Sequence, residues 1–342
     1  MIDAMPLPAD HPAIPPAKIG VLLINLGTPD APDAKAVRRY LAEFLSDRRV
    51  IEIPAIAWKP ILHGIILRTR PKKSAHAYAQ VWSEDGSPLA AITKRQARAL
   101  QARLGPDVVV DYAMRYGNPG ILAALDGLFA KGCTRILAAA LYPQYSGATT
   151  ASANDAIFAA IASKRWQPAL RTLAPYHDDP LYIDALASDL GRELGGLDFS
   201  PDRLLLSFHG MPQRTLTLGD PYHCHCRKTA RLVGEKLSIV TEVSFQSRFG
   251  RAKWLEPATD TVLAALPGRG VKKLAIAAPG FSADCLETIE ELGIRGREQF
   301  IEAGGTHFAR LDCLNDGEAG MAMLEKITRR ELAGWWPGTS PA

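Results

Sequence analysis

Short, almost wholly apolar runs alternate along this chain with longer stretches whose apolar residues recur at helical spacing. The apolar runs predict strands at 19–26, 108–113, 135–142, 204–208, 240–246 and 273–278. The helical spacing predicts helices at 33–45, 89–104, 121–131, 152–163, 184–194, 227–237, 258–266, 283–292 and 318–334. Strands apolar on both faces are covered on both sides, and strand–helix alternation puts them in parallel sheets.

The pattern also repeats. Val21-Leu22-Leu23-Ile24-Asn25-Leu26-Gly27-Thr28-Pro29 has a near copy in Leu204-Leu205-Leu206-Ser207-Phe208-His209-Gly210-Met211-Pro212. Arg115-Tyr116-Gly117 answers to Arg248-Phe249-Gly250, Gly132-Cys133-Thr134-Arg135 to Gly270-Val271-Lys272-Lys273, and Tyr142-Pro143 to Ala278-Pro279. Four matches in one order indicate a duplicated unit. The expected fold is α/β, with two Rossmann-like domains, each a parallel β-sheet flanked by helices, and a substrate cleft between them at the strand ends. The first domain is expected over 18–170 and the second over 171–311. A flexible Pro-rich arm, 1–17, precedes them, and a C-terminal helix within 312–342 packs back on the first domain.

Composition narrows the function. A formal charge of +4 over 342 residues, with no Lys/Arg-rich run, excludes a nucleic-acid footprint. Five scattered cysteines and no signal peptide read as reduced thiols of a cytoplasmic protein. No apolar stretch is long enough to span a bilayer. No G-x-G-x-x-G follows the first strand, no phosphate-binding G-x-x-x-x-G-K-[ST] is present, and no G-x-S-x-G elbow occurs.

His209 is the leading reactive candidate, because it ends a strand whose copy ends in the aliphatic Leu26. A neutral imidazole there can bind a metal or accept a proton. In the same half, Asp284 suits a helix cap, whereas Glu287 and Glu291 lie further in and four residues apart. Stacked carboxylates call for a cation, water or protonation, so Glu287 and Glu291 join His209 as expected metal ligands. His223-Cys224-His225-Cys226 lacks the C-x₂-C spacing of a structural metal site and reads as a loop before a helix, so an iron–sulfur cluster is not expected. The apolar segment 51–67 is flanked by Arg48 and Arg49 and by Arg68, Arg70, Lys72 and Lys73. It reads either as a buried helix with solvated ends or as an apolar lip with a basic rim, suited to a planar anion or a membrane surface. Arg68, Arg70, Arg115, Tyr78 and Ser87 near that lip can hold carboxylates of an otherwise apolar ligand.

Taken together, these motifs resemble the ferrochelatase family over about 18–336. The carriers are Asn25 to Pro29, Gly86-Ser87-Pro88, Tyr142 to Ser146, Ser207 to Pro212, Gly219-Asp220-Pro221-Tyr222, Phe245-Gln246-Ser247-Arg248-Phe249-Gly250 and Gly280 to Glu287. The resemblance implies a chelatase-like fold and the insertion of ferrous iron into protoporphyrin IX, with the metal as substrate and no permanently bound cofactor. It makes His209 and Glu287 the catalytic pair at the porphyrin centre, and it aligns Arg70, Tyr78 and Ser87 with positions that contact the porphyrin; Arg115 and Leu26 join them as expected substrate contacts. Segment 51–67 matches the family's lip, which implies a cytoplasmic enzyme with peripheral membrane contact. The chain ends at Ala342 without a cysteine-bearing tail, and the acids after Glu287 meet Arg295 beyond Glu291. The alternatives are a coproporphyrin or cobalt chelatase of the same fold, or a haem or metal carrier without turnover.

Overall fold

The computed structural model describes residues 10, 17–250 and 252–336, so nearly all of the expected arm over 1–17 lies outside the described residues. The first half runs β1 (Lys18–Thr28), α1 (Ala34–Phe44), α2 (Ala55–Ile61), α3 (Leu67–Val81), α4 (Pro88–Leu104), β2 (Val108–Gly117), α5 (Ile121–Ala130), β3 (Cys133–Ala140), α6 (Ser152–Ala162) and β4 (Ala169–Thr172). The second runs α7 (Pro180–Gly195), β5 (Arg203–His209), α8 (Gln213–Thr217), α9 (Tyr222–Leu237), β6 (Thr241–Gln246), α10 (Thr259–Ala265), β7 (Lys273–Ala277), α11 (Gly296–Glu302), β8 (His307–Arg310) and α12 (Glu318–Glu331). Single π-helical segments cover Leu62–Ile66, Gly147–Ala151 and Glu287–Arg295.

Each half is a parallel four-stranded sheet, in the order β2-β1-β3-β4 and then β6-β5-β7-β8. The repeated motifs therefore correspond to one repeated topology. The match extends beyond the strands: Met114 N–H donates to the carbonyl of Pro119 at 2.7 Å, and Phe245 N–H to that of Pro257 at 2.9 Å. The two glycines of the repeat have one steric cause. A Cβ on Gly27, at φ +114°, would lie 1.8 Å from the Tyr116 carbonyl oxygen, and one on Gly210 would lie 2.5 Å from that of Gln246.

Side chains alternate across the strands, and the alternation assembles the molecule. Val21 and Leu23 of β1 enter the same apolar cluster as Leu204, Leu206 and Phe208 of β5, together with residues of α4, α7, α9 and α12. Leu22 and Ile24 point the other way, to α5 and α6, and Leu205 points to α10. The inner faces of both sheets thus share one core, which fixes the two sets of strand ends relative to each other. α12 crosses from α7 to α4, where Arg103 meets Glu318 at 2.6 Å and Glu325 at 3.3 Å.

Several local expectations are corrected. β4 and β8 are four-residue strands that the apolar pattern is too short to mark. His223 to Cys226 forms the first turn of α9 rather than a loop, which leaves Cys224 exposed and Cys226 buried. The expected α-helix over 283–292 is a π-helix from Glu287, continued by α11. Segment 51–67 is not a buried helix: Ile53, Ile56, Ile61 and Ile65 are 46%, 89%, 40% and 57% exposed, while Leu62 and Leu67 are buried and Ile51, Trp58 and Ile66 pack half-buried against them. Pro71 concealed α3 in the sequence, since proline lacks the N–H that a helix interior uses.

Candidate active site

His209 stands half-buried at the end of β5, paired in register with Gln246 of β6. Its ring lies edge-on to Phe281, with centroids 6.5 Å apart. Phe281 also packs against the buried cluster of Leu89 and Ile92 of α4, as does Leu26 at the matching end of β1. The ring beside His209 and the residue that matches His209 in the first half therefore rest on one apolar cluster.

Glu287 opens the π-helix and faces His209 closely enough for their charges to interact. Burial pushes the His209 imidazole below its ordinary value, and the Glu287 carboxylate works against that shift. The ring is consequently neutral near pH 7, with a nitrogen lone pair free for a metal or a proton. Burial likewise raises the Cys285 thiol and the Tyr78 and Tyr40 hydroxyls, and the nearby Glu287 charge adds to each. The groups around Glu287 are thus ones that stay neutral.

The remaining expected residues are distributed as follows. Tyr78 is buried on α3 against Val37 and Ala75. Ser87 is buried and accepts from the Thr28 hydroxyl at 2.8 Å. Arg70 is exposed at the rim, with its guanidinium over the Phe249 ring at 5.1 Å, so the lip touches the β6–α10 loop across the mouth. Arg115 does not offer a free guanidinium. Its Nη2 lies 2.5 Å from Asp47, and Nε donates to the Ser152 carbonyl and hydroxyl at 2.9 and 2.8 Å. Glu291 turns away from His209 and accepts from Ser247 through both oxygens, at 2.8 and 2.6 Å. Arg295 follows the acids in sequence but forms a two-pronged pair with Glu290 at 2.8 and 2.9 Å, not with Glu291. Among the described residues, no group of three or more His, Cys, Asp or Glu side chains forms a metal cage.

His209, Glu287, Tyr78 and Leu26 thus converge, Arg70 stands at the mouth, and Arg115 and Glu291 belong to neighbouring networks. Tyr40 had no signal in the sequence, because its place on the apolar face of α1 reads as core. Cys285 was hidden by the same burial.

Two duplicated parallel units with a cleft at their strand ends define the two-domain chelatase fold. Solved structures share it: SirB from Bacillus subtilis with Fe³⁺ superposes with a TM-score of 0.56 at 12% identity, covering 93% of this chain and 97% of that one. CbiX, described as the terminal enzyme for siroheme biosynthesis in denitrifying bacteria, gives 0.50 at 15% identity, covering 92% and 100%. The sequence is more specific. The family model described as Ferrochelatase matches residues 18–332, and the chain belongs to the ferrochelatase family. It is 52% identical to the ferrochelatase of Rhizobium meliloti over 95% of this chain and 98% of that one. It is 49% identical to that of Agrobacterium fabrum (96% and 98%) and 52% identical to that of Methylibium petroleiphilum (95% and 91%).

Proposed function

We propose that the protein inserts ferrous iron into protoporphyrin IX at the strand ends, with Leu26 of the first half on one side and the His209–Glu287 pair of the second half on the other. Family membership carries the reaction, iron insertion into a porphyrin in haem biosynthesis. The observation that supports this site is a neutral, half-buried imidazole close to a carboxylate at the strand ends.

Metallation exchanges two pyrrole protons for one ferrous ion, with no net electron transfer and no need for a resident cofactor. The macrocycle enters past the apolar lip, and contacts along its faces supply the binding energy that bends it and exposes pyrrole lone pairs. His209 and Glu287 divide two tasks, handing over the metal and accepting the protons. One imidazole and one carboxylate make an incomplete cage, which suits a metal that is passed on rather than kept. Anaerobic turnover of purified protein with protoporphyrin and coproporphyrin, each with ferrous, cobalt and zinc ions, tests the substrate. Preference for protoporphyrin with iron supports the proposal. Preference for coproporphyrin or cobalt replaces it, and stoichiometric metalloporphyrin binding without turnover makes the protein a carrier.

The exposed isoleucines of the lip, beside Lys59, Arg68 and Lys72, support peripheral contact with an anionic membrane surface. Among the described residues, no helix is long and apolar enough to cross a membrane. Binding to phosphatidylglycerol vesicles that falls in the double variant I56N/I65N is the expected result; equal binding of both proteins contradicts it.

A further inference from the structure

The segment Phe245-Gln246-Ser247 at the end of β6 has no part in the chemistry above, yet it touches both members of the catalytic pair. The main-chain carbonyl of Gln246 accepts from Gly210 N–H at 2.7 Å, directly after His209. The Gln246 side chain, almost fully buried, takes a hydrogen bond from Ser207 on β5 at 2.7 Å and donates to the main-chain carbonyl of Glu287 at 3.4 Å. One residue therefore bridges the strand that ends in His209 and the helix that begins with Glu287. The next residue completes the brace. Ser247 adopts φ +64°, and in that left-handed conformation its N–H and hydroxyl meet the two oxygens of Glu291 at 2.8 and 2.6 Å.

Glu291 lies one turn beyond Glu287, so tension on it rotates the helix that presents Glu287. It also borders a polar cavity of about 150 Å³, behind the strand ends, which Arg248 and Arg295 line as well. Both guanidinium groups are paired there, Arg248 with Asp260 at 2.9 Å and Arg295 with Glu290 at 2.8 Å, and both Glu291 oxygens are taken by Ser247. We propose that Glu291 is a positioning residue rather than a metal ligand: its clamp on Ser247, together with the Gln246 bridge, sets the separation of His209 and Glu287. This rests on the reading of His209 and Glu287 as the reacting pair.

Glu291→Ala, Glu291→Gln, Ser247→Ala and His209→Ala are to be compared in steady-state metallation of protoporphyrin by ferrous and zinc ions. A glutamine keeps the clamp, accepting from Ser247 N–H and donating to its hydroxyl, but it is a poor metal ligand. Loss of the clamp misplaces Glu287, so E291A is expected to lose about tenfold or more in kcat with the metal KM nearly unchanged. S247A is expected to follow E291A, and E291Q to recover most of the lost kcat. A metal KM raised equally in E291A and E291Q overturns the proposal, as does an S247A variant with wild-type kcat. Substantial turnover by His209→Ala instead removes the assignment of the reacting pair, whatever the Glu291 variants do.

Discussion

Arg38 donates to the main-chain carbonyl of Leu67 at 2.7 Å, the oxygen that the ring nitrogen of Pro71 leaves without its helical partner. A proline in a helix interior costs stability because the carbonyl four residues earlier loses its hydrogen bond. Here α1 supplies the replacement and anchors the start of α3 beneath the lip. Arg38→Ala is expected to cost about 1–2 kcal/mol, the lower part of the ~1–3 kcal/mol range for a buried acceptor left unpaired, because this bond is only partly buried. Amide hydrogen exchange over 62–81 is expected to quicken in the variant while the β1 and β3 amides keep their protection.

Asp47 gathers Arg115, Tyr116, Ser152 and the Arg49 amide around one carboxylate. Burial tends to raise its pKa, but hydrogen bonds from Ser152, Arg49 and Tyr116 and the Arg115 charge outweigh that and hold it low. A depressed carboxylate contributes stability that is present above its unfolded value, ~3.9, and is lost as pH falls through the folded value. Asp47→Ala also strands a mostly buried guanidinium, so its urea midpoint at pH 7 is expected to fall by the equivalent of roughly 3 kcal/mol. The gap between variant and wild type is expected to narrow below about pH 4.

The rings of His177 and His225 stack 3.5 Å apart and 6° from parallel, and His225 Nδ1 accepts from Tyr145 N–H at 3.2 Å. Burial, then the neighbouring His225, lowers His177 to about 4, with Asp178 opposing and Lys228 adding to the shift. A histidine depressed in the folded state is protonated first in the unfolded chain. Stability is therefore unaffected above about pH 6.5 and falls as pH drops from there towards 4, by something of the order of 1–3 kcal/mol. Replacing His177 with Phe keeps the stack and removes this titration. The drop in Tm between pH 7.5 and 5 is expected to be smaller in His177→Phe than in the wild type.

Gly210→Ala would drive a methyl group into the Gln246 carbonyl, a backbone atom that cannot swing aside. Separating β5 from β6 at that point displaces His209. The expected outcome is a folded protein, judged by its near-UV spectrum, with kcat lowered by about tenfold or more.

The duplicated topology was legible because both halves keep apolar strands and the same Gly-Pro punctuation, Leu26-Gly27 against His209-Gly210. His209 stood out in the sequence as an exception to that repeat and Glu287 as an acid beyond the reach of a helix cap, and the fold brings the two near enough for their charges to interact. The partner of Arg115 was not legible, because a sequence does not show that Asp47 lies 2.5 Å from it. The same holds for Glu291: the spacing of Glu287 and Glu291 marks a shared helical face, while the partner of each carboxylate is chosen by tertiary contacts. For Glu291 that partner is Ser247, held in a left-handed conformation that no residue pattern announces. The lip was legible as apolar with a basic rim, but its exposure was not, because exposed and buried isoleucines have the same spacing.

The central claim is that porphyrin metallation takes place at His209. The direct measurement is anaerobic turnover of His209→Ala with protoporphyrin and ferrous iron, followed by loss of porphyrin fluorescence, with folding verified by the thermal transition. The account predicts a folded variant with metallation abolished. A folded variant that still turns over at a substantial fraction of the wild-type rate would contradict it.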